Sequence, residues 1–349
     1  MLKGVRKLIL MNSQVTCNIN KNNCMGIKNL NRFLKENCTK KSIRKIQLSQ
    51  LECKTIVIDT SIYMYRYIAE NALMENMYML VSLLLAYNIT PLFVFDGKPP
   101  PEKRELLRLR RLEKKKAEHK YMELMDEYNS KDGQISSAEK ENMLQELSVL
   151  KQQFLRVTDD DIQKVKGLLT AYGVMYYEST NEADEVCAYM VRTGKAWACL
   201  SDDMDMFVYG CTRVLRNVSL LNKTVILYET PNILEELCMT EDVFKQIMVL
   251  SGTDYNTHTD ANLDMTIQWY TKYMEEIAST RISRDITFYG WLHGASNYIT
   301  NLDELTHICD LFTINNIPDP GLDSIQIELG TRHDNMIHDI MSKSGFVFT

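Results

Sequence analysis

The sequence predicts an α/β fold in which a central, mostly parallel sheet is flanked by helices. Three short apolar runs lead to this prediction, at residues 55–58, 91–95 and 196–200. Continuous apolar runs of this length are typical of parallel strands that are covered on both faces. Segments with apolar residues at spacings of three and four lie between the runs, which is the pattern of amphipathic helices. Together these features place helices on the faces of the predicted sheet.

The bulk composition of the 349-residue chain is that of an ordinary globular protein, with 45% apolar and 25% charged residues. This length allows a full catalytic core and a smaller second unit. Because no run of about 18 apolar residues occurs, we expect no membrane span. The nine cysteines include no C-x-x-C pair. Without a secretory signal, they indicate reduced thiols in an intracellular compartment rather than a secreted protein.

The net charge of −6 conceals a strong asymmetry between the two ends of the chain. Residues 1–120 carry 23 Lys or Arg and 10 Asp or Glu, whereas the remaining 229 residues carry 17 and 36. This distribution suits a protein that binds phosphates with one part and cations with another. Two solvated charged surfaces would explain the asymmetry equally well.

Acidic residues follow the apolar runs. Asp59 directly follows the first run and Asp96 the second, while Asp203 and Asp205 come after the third. In open α/β sheets ligands bind beyond the carboxyl ends of the strands, so we expect these acids at one crevice. Carboxylates gathered there repel one another unless cations lie between them, and oxygen ligands suit Mg²⁺ or Mn²⁺. Each acid taken singly is more simply a helix cap or a surface charge; the hypothesis depends on their number.

Further elements complete the predicted core. Residues 174–177 are predicted to be a buried strand, and residues 182–192 an amphipathic helix that begins with Glu182 and Asp184. Residues 225–228 are predicted to be an edge strand. Thr158 and the three aspartates after it indicate the start of a helix, where negative charge is favourable, rather than a metal site. Asp254 follows a predicted helix over residues 240–250, at an end that contains glycine.

Residues 98–120 form a strongly basic segment with ten Lys or Arg residues and four acids. Leu106, Leu109 and Leu112 give this segment one apolar stripe, so we predict a helix with a broad basic face. Such a helix is either a solvated charged surface or a contact for phosphates. The helical pattern continues, and residues 102–157 are predicted to be helices inserted between strands of the core. The ten basic residues are Lys98, Lys103, Arg104, Arg108, Arg110, Arg111, Lys114, Lys115, Lys116 and Lys120.

At six places the sequence resembles the motifs of the flap endonuclease/XPG-type structure-specific 5′ nucleases. In chain order the similar segments are MGIKNLNRFL, VIDTS, FVFDGKPP, NEADE, SDDMDMFVYG and LSGTDYN. They extend from Met25 to about Tyr255, and six ordered motifs are far more specific than any one of them. The resemblance implies a PIN-like flap-endonuclease fold with an inserted helical arch and a helical C-terminal region.

The resemblance also assigns site residues. Seven acids match the metal-site carboxylates of the family: Asp59, Asp96, Glu182, Asp184, Asp203, Asp205 and Asp254. Asp184 stands where the family usually has Glu, so its contact would be longer or pass through water. Lys103 and Arg110 match the basic residues of the family's helical gateway and are the candidate catalytic pair. The candidate DNA-binding residues are Gly26, Tyr65, Lys98, Arg104, Arg111 and Lys114, with Tyr65 matching an aromatic residue that stacks on a base.

By resemblance, the expected function is that of a flap endonuclease and 5′–3′ exonuclease. Two Mg²⁺ ions, which Mn²⁺ could replace, would serve phosphodiester hydrolysis at 5′ flaps and 5′ ends in DNA replication, repair or recombination. The expected partner is DNA with a flap, nick or gap, in the nucleus or at cytoplasmic viral replication sites. The alternatives are a non-catalytic DNA-binding replication scaffold on the same fold and an RNA-directed 5′ exonuclease. Seven carboxylates argue against a scaffold, because it gains nothing from their mutual repulsion.

The sequence departs from the family pattern after Asp254. Residues 256–270 lack the Gly-Ile-Gly hairpin with which the family grips duplex DNA, and the C-terminus lacks the usual sliding-clamp motif. Clamp docking by the usual route is therefore not expected. The chain length and the divergent C-terminal third suit a member of the family from a large DNA virus.

The expected organisation has five segments. Residues 1–24 are a disordered or non-native extension, 25–101 and 158–256 form the nuclease core, 102–157 form the arch, and 257–349 form a helical region without a catalytic constellation. If Gly26 lies free beside DNA, residues 1–24 would obstruct it. We therefore expect translation to start at Met25, or the extension to be removed.

Overall fold

A computed structural model describes residues 27–130, 136–256, 261–279, 281–283, 285–314 and 321–348. Two compact units divide the chain, the first drawn from residues 1–60, 82–98 and 174–330, and the second from residues 61–81, 99–173 and 331–349. Gly26 and the predicted extension over residues 1–24 lie outside the described residues. The five-segment organisation expected from the sequence stays a prediction.

The first unit contains a seven-stranded sheet in the order β1-β7-β6-β5-β2-β3-β4. Neighbouring strands pair in parallel from β6 through β5, β2 and β3 to β4, while β7 pairs antiparallel with both β6 and β1. The predicted mostly parallel sheet is therefore present. The strands are β1 (Ile43–Gln47), β2 (Thr55–Asp59), β3 (Thr90–Phe95), β4 (Tyr176–Glu178), β5 (Ala198–Leu200), β6 (Arg213–Ser219) and β7 (Thr224–Glu229).

Helices make up most of the remaining described structure. Short 3₁₀ turns occur at Leu48–Leu51, Pro101–Lys103 and Leu322–Ser324. The α-helices are α1 (Leu30–Asn37), α2 (Thr60–Ala69), α3 (Leu73–Ala86), α4 (Arg104–Ser130), α5 (Ser137–Gln153), α6 (Asp159–Ala171), α7 (Ala183–Arg192), α8 (Asp205–Val208), α9 (Thr230–Leu237), α10 (Glu241–Leu250), α11 (Leu263–Ala278), α12 (Phe288–Ala295), α13 (Leu302–Leu311) and α14 (Asp334–Lys343). Across the ranges given above, no helix is both long and apolar enough to cross a bilayer.

The central strands owe their position to their uninterrupted apolar sequences. Four of the five residues of β2 and five of the six residues of β3 are buried. Both faces of these strands are therefore covered, which is the usual environment of a parallel sheet. Val57 on β2 and Leu92 on β3 belong to a single apolar core, which also contains Val186 and Cys187 of α7.

Two strand predictions need correction. Residues 225–228, expected at an edge, lie in the interior strand β7, because β1 covers its outer side. The sequence of β1, IRKIQ, has three polar residues and one buried position, so it gives no apolar run that could have been recognised. Residues 174–177, expected to be a buried strand, correspond to β4, which pairs with β3 at the opposite edge and exposes Tyr176 and Glu178.

The start of α6 confirms the helix-cap interpretation of the three aspartates. The Thr158 side chain accepts a hydrogen bond from the backbone N–H of Asp161 at 3.1 Å, and the Asp161 carboxylate accepts one from the backbone N–H of Thr158 at 3.0 Å. This reciprocal pair is a capping box, and it satisfies two backbone donors at the helix terminus. Asp161 therefore stabilises the start of the helix, which is the role that the sequence indicated.

The second unit contains the predicted basic helix, which begins at Arg104 and continues for 27 residues as α4. Helix α5 packs against it, with an ion pair from Lys120 to Glu146 at 2.8 Å, and Arg156, just after α5, pairs with Glu118 of α4 at 3.0 Å. The predicted apolar stripe is poorly covered, since Leu112 is 43% exposed. The two helices therefore depend on polar contacts more than a core element does.

We predict that Phe93→Ala lowers the free energy of unfolding by about 3–5 kcal/mol, because the ring fills a fully buried site in β3. Leu221→Ala is the matched control: this side chain is 86% exposed, and its removal should change stability by less than about 0.5 kcal/mol. Urea unfolding followed by circular dichroism measures both. Equal effects of the two substitutions would contradict the core described here.

Candidate active site

The carboxyl ends of three adjacent parallel strands carry predicted site acids. Asp59 is the last residue of β2, Asp96 follows the last residue of β3, and Asp203 lies three residues beyond the end of β5. Since β5, β2 and β3 are neighbours and parallel, their carboxyl ends lie along one edge of the sheet. Acids separated by up to 144 residues of sequence are thereby brought to the same part of the first unit.

One serine hydroxyl connects the acids of β2 and β5. The Ser201 hydroxyl donates to Asp59 Oδ2 at 3.0 Å. The Ser201 hydroxyl oxygen also accepts a hydrogen bond from the backbone N–H of Asp203 at 3.1 Å. The carboxylate of Asp203 in turn accepts from the backbone N–H of Asp205 at 2.9 Å. Asp59 and Asp205 are 4% and 3% exposed. The Ser201 hydroxyl gives the buried Asp59 carboxylate a donor, which a carboxylate away from water requires.

Asp96, which follows β3, is hydrogen-bonded to the first residue of α7, the helix at whose start Glu182 and Asp184 lie. The backbone N–H of Ala183 donates to Asp96 Oδ1 at 2.8 Å, so Asp96 also acts as a cap for α7. Glu182 is the N-cap residue of this helix, and Asp184 lies in its first turn. The cap interpretation considered from the sequence therefore holds for Asp96, and the same contact places this acid beside Glu182 and Asp184.

Gly97 allows this close approach of β3 to the start of α7. A Cβ atom at residue 97 would lie 2.0 Å from the carbonyl oxygen of Ser179 and 2.6 Å from that of Thr180. The backbone N–H of Gly97 also donates to the carbonyl of Asn181 at 2.7 Å. No other residue fits without moving the backbone, so the glycine after Asp96 has a structural reason.

Two buried side chains, those of Cys187 and Tyr209, have raised pKa values to which the nearby acids contribute. The pKa of Cys187 is raised to about 11, chiefly by burial, and the negative charges of Asp59 and Asp184 add to the shift. Burial also raises the pKa of Tyr209, with further contributions from Tyr255, Asp184 and Glu182. Asp184 therefore acts on both groups.

The remaining predicted acid, Asp254, lies in the turn after α10. Its neighbour Tyr255 donates a hydrogen bond from its hydroxyl to Glu182 Oε2 at 3.2 Å. The turn is held by Asn256, whose Oδ1 accepts from the backbone N–H of Thr253 at 2.7 Å. Asp254 is thus joined to the α7 acids through the adjacent tyrosine.

The donor set fits a hard divalent cation, because every predicted ligand is a carboxylate. The predicted ligands do not form a ready-made ion site. Among the described residues, no three His, Cys, Asp or Glu side chains are grouped closely enough to hold a metal ion. Four of the carboxylates accept hydrogen bonds from protein donors, as the contacts above show: Asp59, Asp96, Glu182 and Asp203. Mg²⁺ retains several water ligands and binds directly through one or two carboxylates, so acids spread along a sheet edge suit it. The assignment of the seven acids as ligands stays a prediction.

The predicted basic residues have different environments. Lys98 is exposed in the first unit, just after Gly97. Lys103 and Arg110 belong to the second unit, where Lys103 is buried (6% exposed) in the turn before α4, and Arg110 is exposed on the helix. Arg104 and Arg111, also on α4, are exposed. Exposure of these arginines leaves them accessible to a phosphate.

Lys114 and Tyr65 are paired within the second unit. The ammonium group of Lys114 lies 5.2 Å from the centre of the Tyr65 ring and donates to the carbonyl oxygen of Leu155 at 2.9 Å. Burial lowers the pKa of Lys114, and repulsion from Arg156 and Arg110 lowers it further. The Tyr65 residue remains 40% exposed, so the ring keeps an accessible part while a cation lies over it.

Sequence reasoning missed Ser201, Tyr209 and Tyr255 as parts of the site. The position of Ser201 directly before the acidic pair was a usable signal, because a hydroxyl at a strand end can serve two neighbouring loops. Tyr209 gave no such signal, since an aromatic residue that follows an apolar segment is most simply core. Tyr255 stands in a polar turn directly after Asp254, and nothing in the local sequence pointed to its partner Glu182.

Comparison with known proteins gives two matches to family models. The XPG N-terminal domain matches residues 25–117, and the XPG I-region matches residues 173–254. Together these ranges cover about half of the 349-residue chain, and all seven predicted ligands, Lys103 and Arg110 fall within them.

Among curated relatives, flap endonuclease 1 of Methanococcus aeolicus is 28% identical over 229 residues, which is 61% of this chain and 66% of the relative. Flap endonuclease 1 of Saccharolobus solfataricus is 29% identical over 241 residues, 61% of this chain and 65% of the relative. The chain thus spans slightly less than two thirds of the length of these relatives.

Among solved structures, the catalytic core of Rad2 in complex with DNA substrate has a TM-score of 0.62 at 20% identity, covering 91% of this chain and 94% of the other. Flap endonuclease-1 from Methanococcus jannaschii has a TM-score of 0.56 at 21% identity, covering 86% and 90%. At this level of identity the similarity concerns the fold, and it confirms the predicted PIN-like flap-endonuclease fold.

We predict that Cys187 resists alkylation by iodoacetamide at pH 8 in the folded protein. The thiolate is the reactive form, and a pKa of about 11 leaves very little of it at that pH. Cys53, which is exposed, is the control and should react readily. Peptide mass spectrometry gives both rates, and both thiols should react in denatured protein. Equal rates in the folded protein would show that Cys187 is not buried beneath the acids.

Proposed function

The chain belongs to the XPG family, and from that premise we propose that it is a divalent-metal-dependent, structure-specific DNA nuclease. It would cut phosphodiester bonds at 5′ flaps and 5′ ends. The observation that supports this most directly is the hydrogen-bonded series from Asp59 through Ser201 and Asp203 to Asp205, at the carboxyl edge of the sheet. Burying acidic side chains side by side lowers stability unless cations compensate for their charge.

The seven acids would hold two Mg²⁺ ions, with Mn²⁺ as a substitute. In this proposal, five acids serve the more central ion and the remaining two serve the second. Such ions supply a nucleophilic water at neutral pH and offset charge on the reacting phosphate. The first group is Asp59, Asp96, Glu182, Asp184 and Asp203, and the second is Asp205 and Asp254.

Residues of the second unit would bind the substrate. Lys103 and Arg110 would neutralise charge that develops on the scissile phosphate, which is where fixed cations contribute most to catalysis. The Tyr65 ring would stack on a base at the end of the strand. The motif matches support these roles, together with the exposure of Arg110 and Tyr65.

Further DNA contacts are proposed for the remaining basic residues. Lys98, Arg104, Arg111 and Lys114 would bind backbone phosphates of a flapped, nicked or gapped DNA, and Gly26 would lie close to the bound strand. The Rad2 structure contains a DNA substrate, which supports nucleic acid as the ligand of this fold. The proposed setting is DNA replication, repair or recombination inside the cell.

We predict that Asp203→Asn lowers cleavage of a 5′-flap DNA in Mg²⁺ by roughly a hundredfold or more, because a ligand loses its charge. Asparagine keeps an oxygen for the backbone N–H of Asp205. Binding of the same DNA in Ca²⁺, followed by fluorescence anisotropy, should change little. The cleavage rates are measured by resolving the released flap and the remaining duplex on a gel, and reactions with EDTA serve as the metal-free control.

Asp202→Asn is the matched control, since it neutralises the adjacent acid. The Asp202 carboxylate accepts from the backbone N–H of Asn217 at 2.7 Å, a contact that asparagine can keep. Cleavage near the wild-type rate is expected. Equal losses in the two variants, or a wild-type protein that cuts in EDTA, would contradict the proposal. An RNA flap cut faster than its DNA counterpart would favour the RNA-directed alternative.

We predict that Arg110→Ala slows flap cleavage by about a hundredfold, as the loss of a charge-stabilising donor does elsewhere. It should also reduce the slope of log affinity against log salt by about one unit. Arg108→Ala is the control, because Arg108 is paired with Glu105 at 2.7 Å on the same helix. If the two substitutions have the same effect on rate and slope, α4 contributes general positive charge and Arg110 has no specific role.

A further inference from the structure

The carboxylate of Glu182 contacts one member of a cluster of three aromatic residues. The Tyr255 hydroxyl lies 3.2 Å from Glu182 Oε2, and the Tyr209 hydroxyl lies 3.5 Å from that of Tyr255. The ring of Phe312 contacts both tyrosines edge-to-face, at centroid distances of 4.8 Å to Tyr209 and 5.2 Å to Tyr255. Edge-to-face pairs at these distances are favourable and fix the relative orientation of the rings.

This aromatic cluster is formed by Tyr209, Tyr255 and Phe312, and two of its rings are buried. Tyr209 is 5% exposed and Phe312 is 1% exposed, so neither ring can turn without disturbing the core. Phe312 is the C-cap residue of α13 and comes from the C-terminal region, for which the sequence predicted no catalytic constellation. Phe312 therefore brings a side chain of this region into contact with Tyr255, whose hydroxyl donates to Glu182.

The turn that carries Tyr255 is also fixed. Asn256 accepts from the backbone N–H of Thr253 at 2.7 Å and from its hydroxyl at 2.8 Å, and donates to the carbonyl of Val249 at 2.6 Å. Asp254 lies inside this turn. Consequently the hydrogen bond from Tyr255 to Glu182 joins two chain segments that each carry a predicted ligand.

We propose that Tyr255 is a positioning residue for the metal site, with Tyr209 and Phe312 holding its ring in place. The phenol hydroxyl is a neutral donor to Glu182 Oε2, and this contact restricts the torsions of a flexible glutamate side chain. It also keeps the turn of Asp254 at a constant distance from α7. Side chains that orient ligands in this way commonly change metal affinity by ten- to a hundredfold when they are removed. This inference rests on the proposed function.

The first test is Tyr255→Phe in the full chain, which removes the hydroxyl and keeps the ring. Mn²⁺ binding measured by isothermal titration calorimetry, without DNA, should weaken about tenfold. The Mg²⁺ concentration for half-maximal flap cleavage should rise by a similar factor, while the rate at saturating Mg²⁺ recovers most of the wild-type value. A catalytic role in proton transfer would instead lower the rate at saturation.

Tyr189→Phe is the matched control. Tyr189 lies on α7, and its hydroxyl donates to the carboxylate of Asp323 in the 3₁₀ turn Leu322–Ser324. The same substitution therefore removes a hydrogen bond between a tyrosine and a carboxylate that is not a predicted ligand. Mn²⁺ affinity and Mg²⁺ dependence should stay at wild-type values. If the two Tyr→Phe variants weaken Mn²⁺ binding equally, the effect is general and the inference is overturned.

A second variant tests the support of the ring. Phe312→Leu should weaken Mn²⁺ binding in the same direction as Tyr255→Phe, and the double variant should be no weaker than Tyr255→Phe alone, because both act through one contact. In a Glu182→Gln background, Tyr255→Phe should have a much smaller effect. Thermal unfolding of each variant shows whether it is folded at the temperature of the assay.

The outcomes separate this inference from the proposed function. If the wild-type protein binds Mn²⁺ and cuts flaps, and Tyr255→Phe has the same Mn²⁺ affinity and Mg²⁺ dependence, only the positioning role is overturned. Additive effects of Phe312→Leu and Tyr255→Phe also overturn it. Wild-type protein that neither binds Mn²⁺ nor cuts DNA removes the proposed function, and the positioning role falls with it.

Discussion

The hydroxyl of Ser201 is the contact on which the acidic edge of the sheet depends. It donates to the buried Asp59 carboxylate and accepts from the backbone of Asp203, so one oxygen fixes both the end of β2 and the loop after β5. Acids this close destabilise a fold when they lack donors or counter-charges. The proposed cations would supply the counter-charge that these carboxylates need.

Parallel pairing makes such a site possible in a chain whose acids are far apart in sequence. The order β5-β2-β3 puts three carboxyl ends side by side, and α7 begins where the turn after β3 can reach it. The contact of Asp96 with the backbone of Ala183 then adds the helix acids to the strand acids. An antiparallel sheet would send alternate strand ends to opposite edges and separate the same residues.

The sequence predicted the central strands well because β2 and β3 each contain an uninterrupted apolar run, and their burial follows directly from that composition. The order of motifs led to the prediction of the seven acids as ligands. It could not reveal β1, whose polar sequence has one buried position, nor the interior place of β7 that follows from it. The contact between Tyr255 and Glu182 was equally hidden, because the partners are 73 residues apart and tyrosine is common in cores. Local patterns predict elements, whereas contacts between distant segments depend on packing.

The most direct test of the acidic edge as a cation site is the anomalous scattering of Mn²⁺ in crystals of the full chain. We expect anomalous difference peaks within direct or water-mediated reach of the carboxylates of Asp59, Asp203 and Asp254, and we expect them to disappear in Asp203→Asn crystals. Ordered crystals soaked in Mn²⁺ that show no peak along the carboxyl ends of β2, β3 and β5 would contradict the account.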